Sequence, residues 1–324
     1  MRAGFAIALL AAACGEQGPE AGEARWSLVL EDTPHSILSC WSAGPDDTTF
    51  VGSEGTIRHW DGASLRTRSS GTTEWLWWVW GCAPDDAWAV GEGGTILRVR
   101  GGDIDPLDSG TAATLWGAWG ASCDDVWVVG GDPQGPDTDV ILRDTGGGFA
   151  PAGPDPLGLA FFKVWGSAEA DVIVVGDAGV AWRWDGKIWA LEQTGCTTRL
   201  FTVYGGGAGD VLAVGGTCGV AYDGSDWAPI PGLDLTGHLP NGVHVADDGS
   251  AAIVGFGAMK ARRTIEGAWI DESDLDPIGV DFHAVCGDGR GGFYAVGGNF
   301  VSPGAEQRGV IAHFGLDAPA IQTD

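Results

Sequence analysis

VWGCAPDDAWAVGEGGTILR, Val79 to Arg98, reads as an apolar strand ending near Trp80, a turn, a second strand closing on Val90-Gly91, a Gly-rich turn, and a third strand. The Val-Gly pair recurs: Val51, Val90, Val129, Val175, Val214, Val254 and Val296 are each followed by Gly. The steps are 39, 39, 46, 39, 40 and 42 residues. A period near 40 residues with four short strands per unit predicts a propeller blade. Asp61-Gly62, Asp185-Gly186 and Asp223-Gly224 fall between third and fourth strands, where a two-residue hairpin turn needs positive φ. The fold class is therefore all-β: a seven-bladed β-propeller of four-stranded antiparallel blades over residues 25–316.

Aligned on the anchor Gly, the columns show how blades meet. Eleven residues before it stand Trp41, Trp80, Trp119, Trp165, Tyr204, His244 and Cys286; twelve before stand Cys40, Val79, Ala118, Val164, Val203, Val243 and Val285. Adjacent strand residues point to opposite faces, so the large column packs on one neighbouring blade and the small column on the other. Asp47, Asp86, Asp125, Asp171 and Asp210, five before the Gly, read as turn caps. The seventh unit ends near Gly315 without chain for a fourth strand. RWSLVLE supplies it, because Trp26 lies 26 residues before Gly52 as Trp189 lies 26 before Gly215. Such a strand closes the ring and removes a sheet edge.

These patterns resemble the exported bacterial β-propellers with sialidase-type or kelch-type repeats, and the repeat style of photosystem-assembly propellers. The resemblance covers about residues 25 to 316 and implies the fold. The sialidase Asp-box, Ser-x-Asp-x-Gly-x-x-Trp, is matched in no blade. Arg58, Arg98, Arg143 and Arg183 fall on third strands, away from the channel, so no three arginines converge beside a tyrosine nucleophile.

The N-terminus reads as an export signal: Arg2, then an apolar run from Ala3 to Ala13, too short to span a membrane. LLAAAC, ending at Cys14, resembles a bacterial lipobox, which implies a signal peptide over residues 1–13 and a lipidated Cys14. Residues 14–24 are a polar tether and 317–324 a C-terminal tail. The expected location is the bacterial cell envelope, with membrane contact through the lipid alone. Six cysteines remain, an even number in an exported chain. Neighbouring positions in the ring pair them as Cys40–Cys286, Cys82–Cys123 and Cys196–Cys218.

A net charge of −27, from 17 basic against 44 acidic residues, excludes nucleic acid and anionic lipid as partners. His35, His59, His238, His244, His283 and His313 lack ligand-pair spacing. No cofactor is called for, and Ca²⁺ has candidates only in Asp132, Asp137 and Asp139 of the blade-three insertion.

EWLWWVWG, Glu74 to Gly81, holds four tryptophans. Trp80 belongs to the large packing column. Trp77 shares a column with Leu38, Trp116, Phe162, Phe201, Asn241 and His283, read as core. Trp78 falls among Ser39, Gly117, Lys163, Thr202, Gly242 and Ala284, and Trp75 in a loop column with Arg199, so the repeat requires neither. The loops entering first strands share a face with the insertions Gly131 to Asp139 and Gly298 to Arg308. Trp75 and Trp78 are therefore candidate stacking platforms on that face, with Lys163, Arg199 and His283 as further ligand contacts. The function that follows is a monomeric, non-enzymatic binding module for a protein or carbohydrate partner. The alternative is a glycan-active hydrolase or lyase, or a redox enzyme, with an unrecognised site.

Overall fold

The computed structural model describes residues 23–135, 138–274, 280–300, 308–317, 319 and 321, without the side chains of residues 32 and 33. Seven four-stranded antiparallel sheets surround a channel. Blade one runs from Ile37–Gly44 through Asp47–Gly52 and Thr56–Trp60 to Leu65–Ser69. Blades two to six repeat that order outward from inner strands Leu76–Ala83, Leu115–Ser122, Phe161–Ala168, Thr202–Gly207 and Pro240–Val245. Blade seven takes three strands from Asp281–Gly287, Phe293–Gly298 and Gly309–Gly315, and its outermost from the N-terminal Arg25–Thr33. Trp26 opposes Phe314 across that closing pair. It is 2% exposed, and its indole N–H donates to Glu272 of blade six at 2.8 Å.

The anchor glycine is set by proximity. Its φ is extended, as at Gly91 (−167°), so its conformation is open to any residue. A Cβ there would collide with the carbonyl of the loop entering the same blade, as with Trp75 O at Gly91. That carbonyl accepts the next residue's N–H, Glu92 N to Trp75 O at 3.0 Å.

A second glycine column explains how blades touch. The large ring of one blade lies on the residue after its counterpart in the next blade, and there the chain carries Gly81, Gly120, Gly166 and Gly205. A Cβ on Gly120 would stand 2.7 Å from the Trp80 ring, on Gly166 2.6 Å from Trp119, and on Gly205 2.7 Å from Trp165. Trp41 covers Gly81 in the same way. Where the large column shrinks to Cys286, the Cys40–Cys286 disulfide ties blade seven to blade one, with Cα atoms 5.9 Å apart. Cys82–Cys123 joins blades two and three, and Cys196–Cys218 ties the loop entering blade five to its third strand. Three such bonds are sustained by an oxidising, exported environment. Among the described residues no helix is long and apolar enough to cross a membrane.

Two sequence expectations change. The acidic column serves less as backbone caps than as an arginine clamp. Arg98 grips Asp86 with two bonds of 2.9 and 2.8 Å, and Arg143 grips Asp125 at 2.7 and 2.8 Å. Each guanidinium also lies over a buried tryptophan, 4.7 Å from the centre of the Trp88 ring and 4.6 Å from that of Trp127. The Asp-Gly turns are longer than two residues, since Trp60 pairs with Leu65. Asp61 caps the Ala63 and Ser64 amides, and Gly62 supplies the positive φ of 84°.

Gly81→Ala should therefore cost about 1–3 kcal/mol in chemical denaturation, because the Trp41 ring must move. Gly102→Ala, which meets nothing within 4 Å, should not. Trp26→Ala should cost about 3–5 kcal/mol by emptying the closing strand's anchor.

Candidate functional site

Six of the seven inner strands, all but that of blade five, carry a β-bulge near their start. In blade two, Leu76 opposes Gly91 and Trp78 opposes Val90, so Trp77 has no opposite number. The same slip leaves Leu38, Trp116, Phe162, Asn241 and His283 unpaired in blades one, three, four, six and seven. A bulged residue is re-aimed relative to the regular alternation, and most of these side chains meet around the channel mouth. Trp77 lies 4.8 Å from Trp116 and 5.4 Å from His283, centre to centre. Trp116 continues to Phe162 at 5.9 Å, and Phe162 to Phe201 at 5.4 Å.

These rings wall a cavity of about 270 Å³ that also takes in Asn241, Thr202, Lys163 and Arg199. Pro133 and Phe300, from the two insertions, and Phe256 overhang it. A larger groove of about 580 Å³ runs along Thr67 to Thr73, but hydroxyl-bearing and charged residues line most of it, and its lining holds no Trp, Tyr or Phe.

Lys163 is the most unusual polar group at this mouth. Only 3% of it is exposed. Its Nζ donates to Trp116 O at 2.8 Å and sits 3.6 Å from the centre of the Trp78 ring. The two meet across blade three because Gly117, in their register, has no side chain to separate them. A cation over a desolvated ring gains about 2 kcal/mol, whereas burying an ammonium costs several. Burial wins and holds the amine well below its ordinary pKa.

His283 Nδ1 lies 2.5 Å from Leu38 O, so that nitrogen carries the proton and Nε2 keeps its lone pair. Burial, reinforced by the Lys163 charge and opposed by the Leu38 bond, brings its pKa down to about 3. Arg199 is held by Asp177 at 2.6 Å and lies 5.8 Å from the Phe162 ring centre.

The structure thus brings Lys163, Arg199 and His283 to one cavity. Trp75 stands beside it, its ring 5.5 Å from Trp77. Trp78 is only 8% exposed, its N–H donating to Ala118 O at 3.2 Å under the Lys163 amine, so it is packing rather than a platform. Trp77, read as core, is cavity wall instead, and Trp116, Phe162 and Phe201 join it. The bulge exchanges these roles, because it breaks the two-residue alternation on which the reading rested. A purely aromatic run in one column, Trp77 to Phe201, was the available signal.

Of the Ca²⁺ candidates, Asp132 caps the Gln134 amide at 2.9 Å, and Asp139 accepts from Leu157 and Gly158 at 2.7 and 2.6 Å. Asp137 lies outside the described residues, as does Cys14. Cys82, Asp86 and Cys123 cluster, but the thiols are bonded to each other and Asp86 to Arg98.

No family model matches the chain, and no curated protein matches it in sequence. Solved structures share the fold. YCF48 from Cyanidioschyzon merolae superposes with a TM-score of 0.67 at 15% identity, over 89% of this chain and 98% of its own. Virginiamycin B lyase from Staphylococcus aureus gives 0.69 at 10% identity, over 89% and 98%. A structure of YCF48 bound to D1 peptide gives 0.52 at 15%, over 85% and 78%.

Burial also lowers His244, in the large packing column, to a pKa of about 4. Both histidines are below their unfolded value near 6.5, so the unfolded chain takes up protons that the folded one refuses. Their stabilisation is complete above about pH 6.5 and is lost as pH falls toward 4. His244→Tyr should flatten that decline by at most about 1.4 kcal/mol per pH unit. Denaturation midpoints at pH 7 and pH 5 test this, and an equal fall in both proteins would contradict it.

Proposed function

We propose that the chain is an exported binding module that receives an apolar side chain of a protein partner in the aromatic cavity at the channel mouth. The cavity carries this reading. Trp77, Trp116 and Phe201 leave costly apolar surface facing solvent over the buried Phe162, and such concave aromatic walls are where binding energy concentrates. About 270 Å³ suits one large side chain rather than an oligosaccharide. The flanking insertions through Pro133 and Phe300 give the main chain of an extended segment something to lie against.

The net charge of −27 favours a segment that is neutral or basic around its apolar anchor. That a propeller of this shape has been solved with a bound peptide supports a protein ligand over a glycan. In this reading Cys14 tethers the module to the envelope by lipid, and the propeller acts as a single copy. Enzymatic action is not part of the proposal. The lyase shares the fold, and at 10% identity its chemistry does not transfer.

Selection of a random peptide library on the disulfide-bonded chain tests the idea. Enriched peptides should share one large apolar residue beside Lys or Arg. Trp77→Ala with Trp116→Ala should weaken them by about thirtyfold, the loss of a hot spot near 2 kcal/mol, at little change in melting temperature. Retention of the peptides by the double variant, or capture of glycans alone on an array, would overturn it.

A further inference from the structure

The chain has three lysines, Lys163, Lys187 and Lys260. Lys187 is exposed on a turn. Lys260 is fully buried, bonded to Ala258 O at 3.1 Å, and lines no aromatic cavity. Lys163 alone stands in the wall of an aromatic cavity, with an indole against its amine. The main-chain oxygen of Trp116 accepts from it, and among the described residues no carboxylate is bonded to it. Structural lysines are ordinarily paired with a carboxylate or reach solvent. This one does neither.

We propose that the channel-mouth cavity is a carbonyl-capture site, in which Lys163 Nζ condenses with an aromatic or apolar aldehyde whose body lies between Trp77, Trp116 and Phe162. This goes beyond the partner-binding reading and shares only the cavity with it. The Nζ lone pair adds to the carbonyl carbon, and an N–H proton passes to the former carbonyl oxygen, giving a carbinolamine. Loss of that hydroxyl with the second N–H proton as water leaves an imine, so nothing is oxidised or reduced.

Three features favour the step. Burial shifts the amine toward the unprotonated form, the only one that is a nucleophile. The imidazole of His283 is neutral, with Nε2 outside the Leu38 bond, so a hydrogen-bond acceptor for the carbinolamine hydroxyl shares the cavity. The apolar walls exclude the water that would return the imine to amine and aldehyde.

The test treats the disulfide-bonded chain at pH 7 with benzaldehyde and, separately, glyceraldehyde, each with cyanoborohydride to trap imines, followed by peptide mapping. Benzaldehyde should label Lys163 at least about tenfold faster than Lys187, since an exposed lysine with a pKa near 10.4 is almost wholly protonated. Glyceraldehyde should show little preference for Lys163. Lys163→Arg, with circular dichroism unchanged, should abolish the fast phase, and Trp116→Ala should slow it for benzaldehyde. Equal labelling of Lys163 and Lys187, an unlabelled Lys163, or equal preference with both aldehydes would overturn the proposal. Peptide binding to the cavity is read independently of these outcomes.

Discussion

An indole ring set against a neighbour's glycine fixes the geometry of this molecule. Trp41, Trp80, Trp119 and Trp165 each reach into the next blade, where Gly81, Gly120, Gly166 and Gly205 leave room for ring atoms that a Cβ would meet at 2.4–2.7 Å. Any side chain at those glycines would push the blades apart. The rule is reciprocal. Where the ring becomes Tyr204, the facing register carries Val245, and where it becomes Cys286, it carries Ser42. That last junction, where the large column holds no aromatic ring, is also where the ring closes. It holds a disulfide, Cys40–Cys286, together with the N-terminal strand anchored by Trp26.

Close approach of the blades has a consequence at the channel. Inner strands are pressed so near one another that side chains bridge them: Thr202 to Asn241 O at 2.7 Å, His283 to Leu38 O, Trp78 to Ala118 O, and Lys163 to Trp116 O. The bulge near the start of six inner strands re-aims one further residue in each, and Trp77, Trp116, Phe162 and His283 among these residues wall the mouth. Cavity and scaffold thus come from one repeat, and the proposed function rests on what the repeat does not need at that position.

The seven blades, the closing strand and the three disulfides were legible in the sequence because they follow from spacing and from side chains alternating along strands. The register of Trp26 with Trp189 is of this kind. The site was only half legible. Lys163, Arg199 and His283 were named as ligand contacts from the columns of Trp78, Trp75 and Trp77, and the structure gathers them. Trp77 and Trp78 were interchanged, because a one-residue bulge inverts the side-chain alternation and carries no sequence mark of its own. The Arg98–Asp86 and Arg143–Asp125 clamps were hidden for another reason: their partners sit on different strands, and only the hairpin register brings them together.

Trp77 is an extra residue in its ladder, outside the strand pairing that holds blade two. Deleting it would restore regular pairing, with Leu76 opposite Gly91 and Trp78 directly following opposite Val90. Every later side chain would keep its face. Deleting Val79 instead would shift Leu76 to Trp78 by one residue and reverse their faces. Thermal unfolding of the two deletion variants is the direct measurement. A cooperative transition close to wild type is expected for the Trp77 deletion and none for the Val79 deletion. Loss of the folded state on removing Trp77 would contradict it.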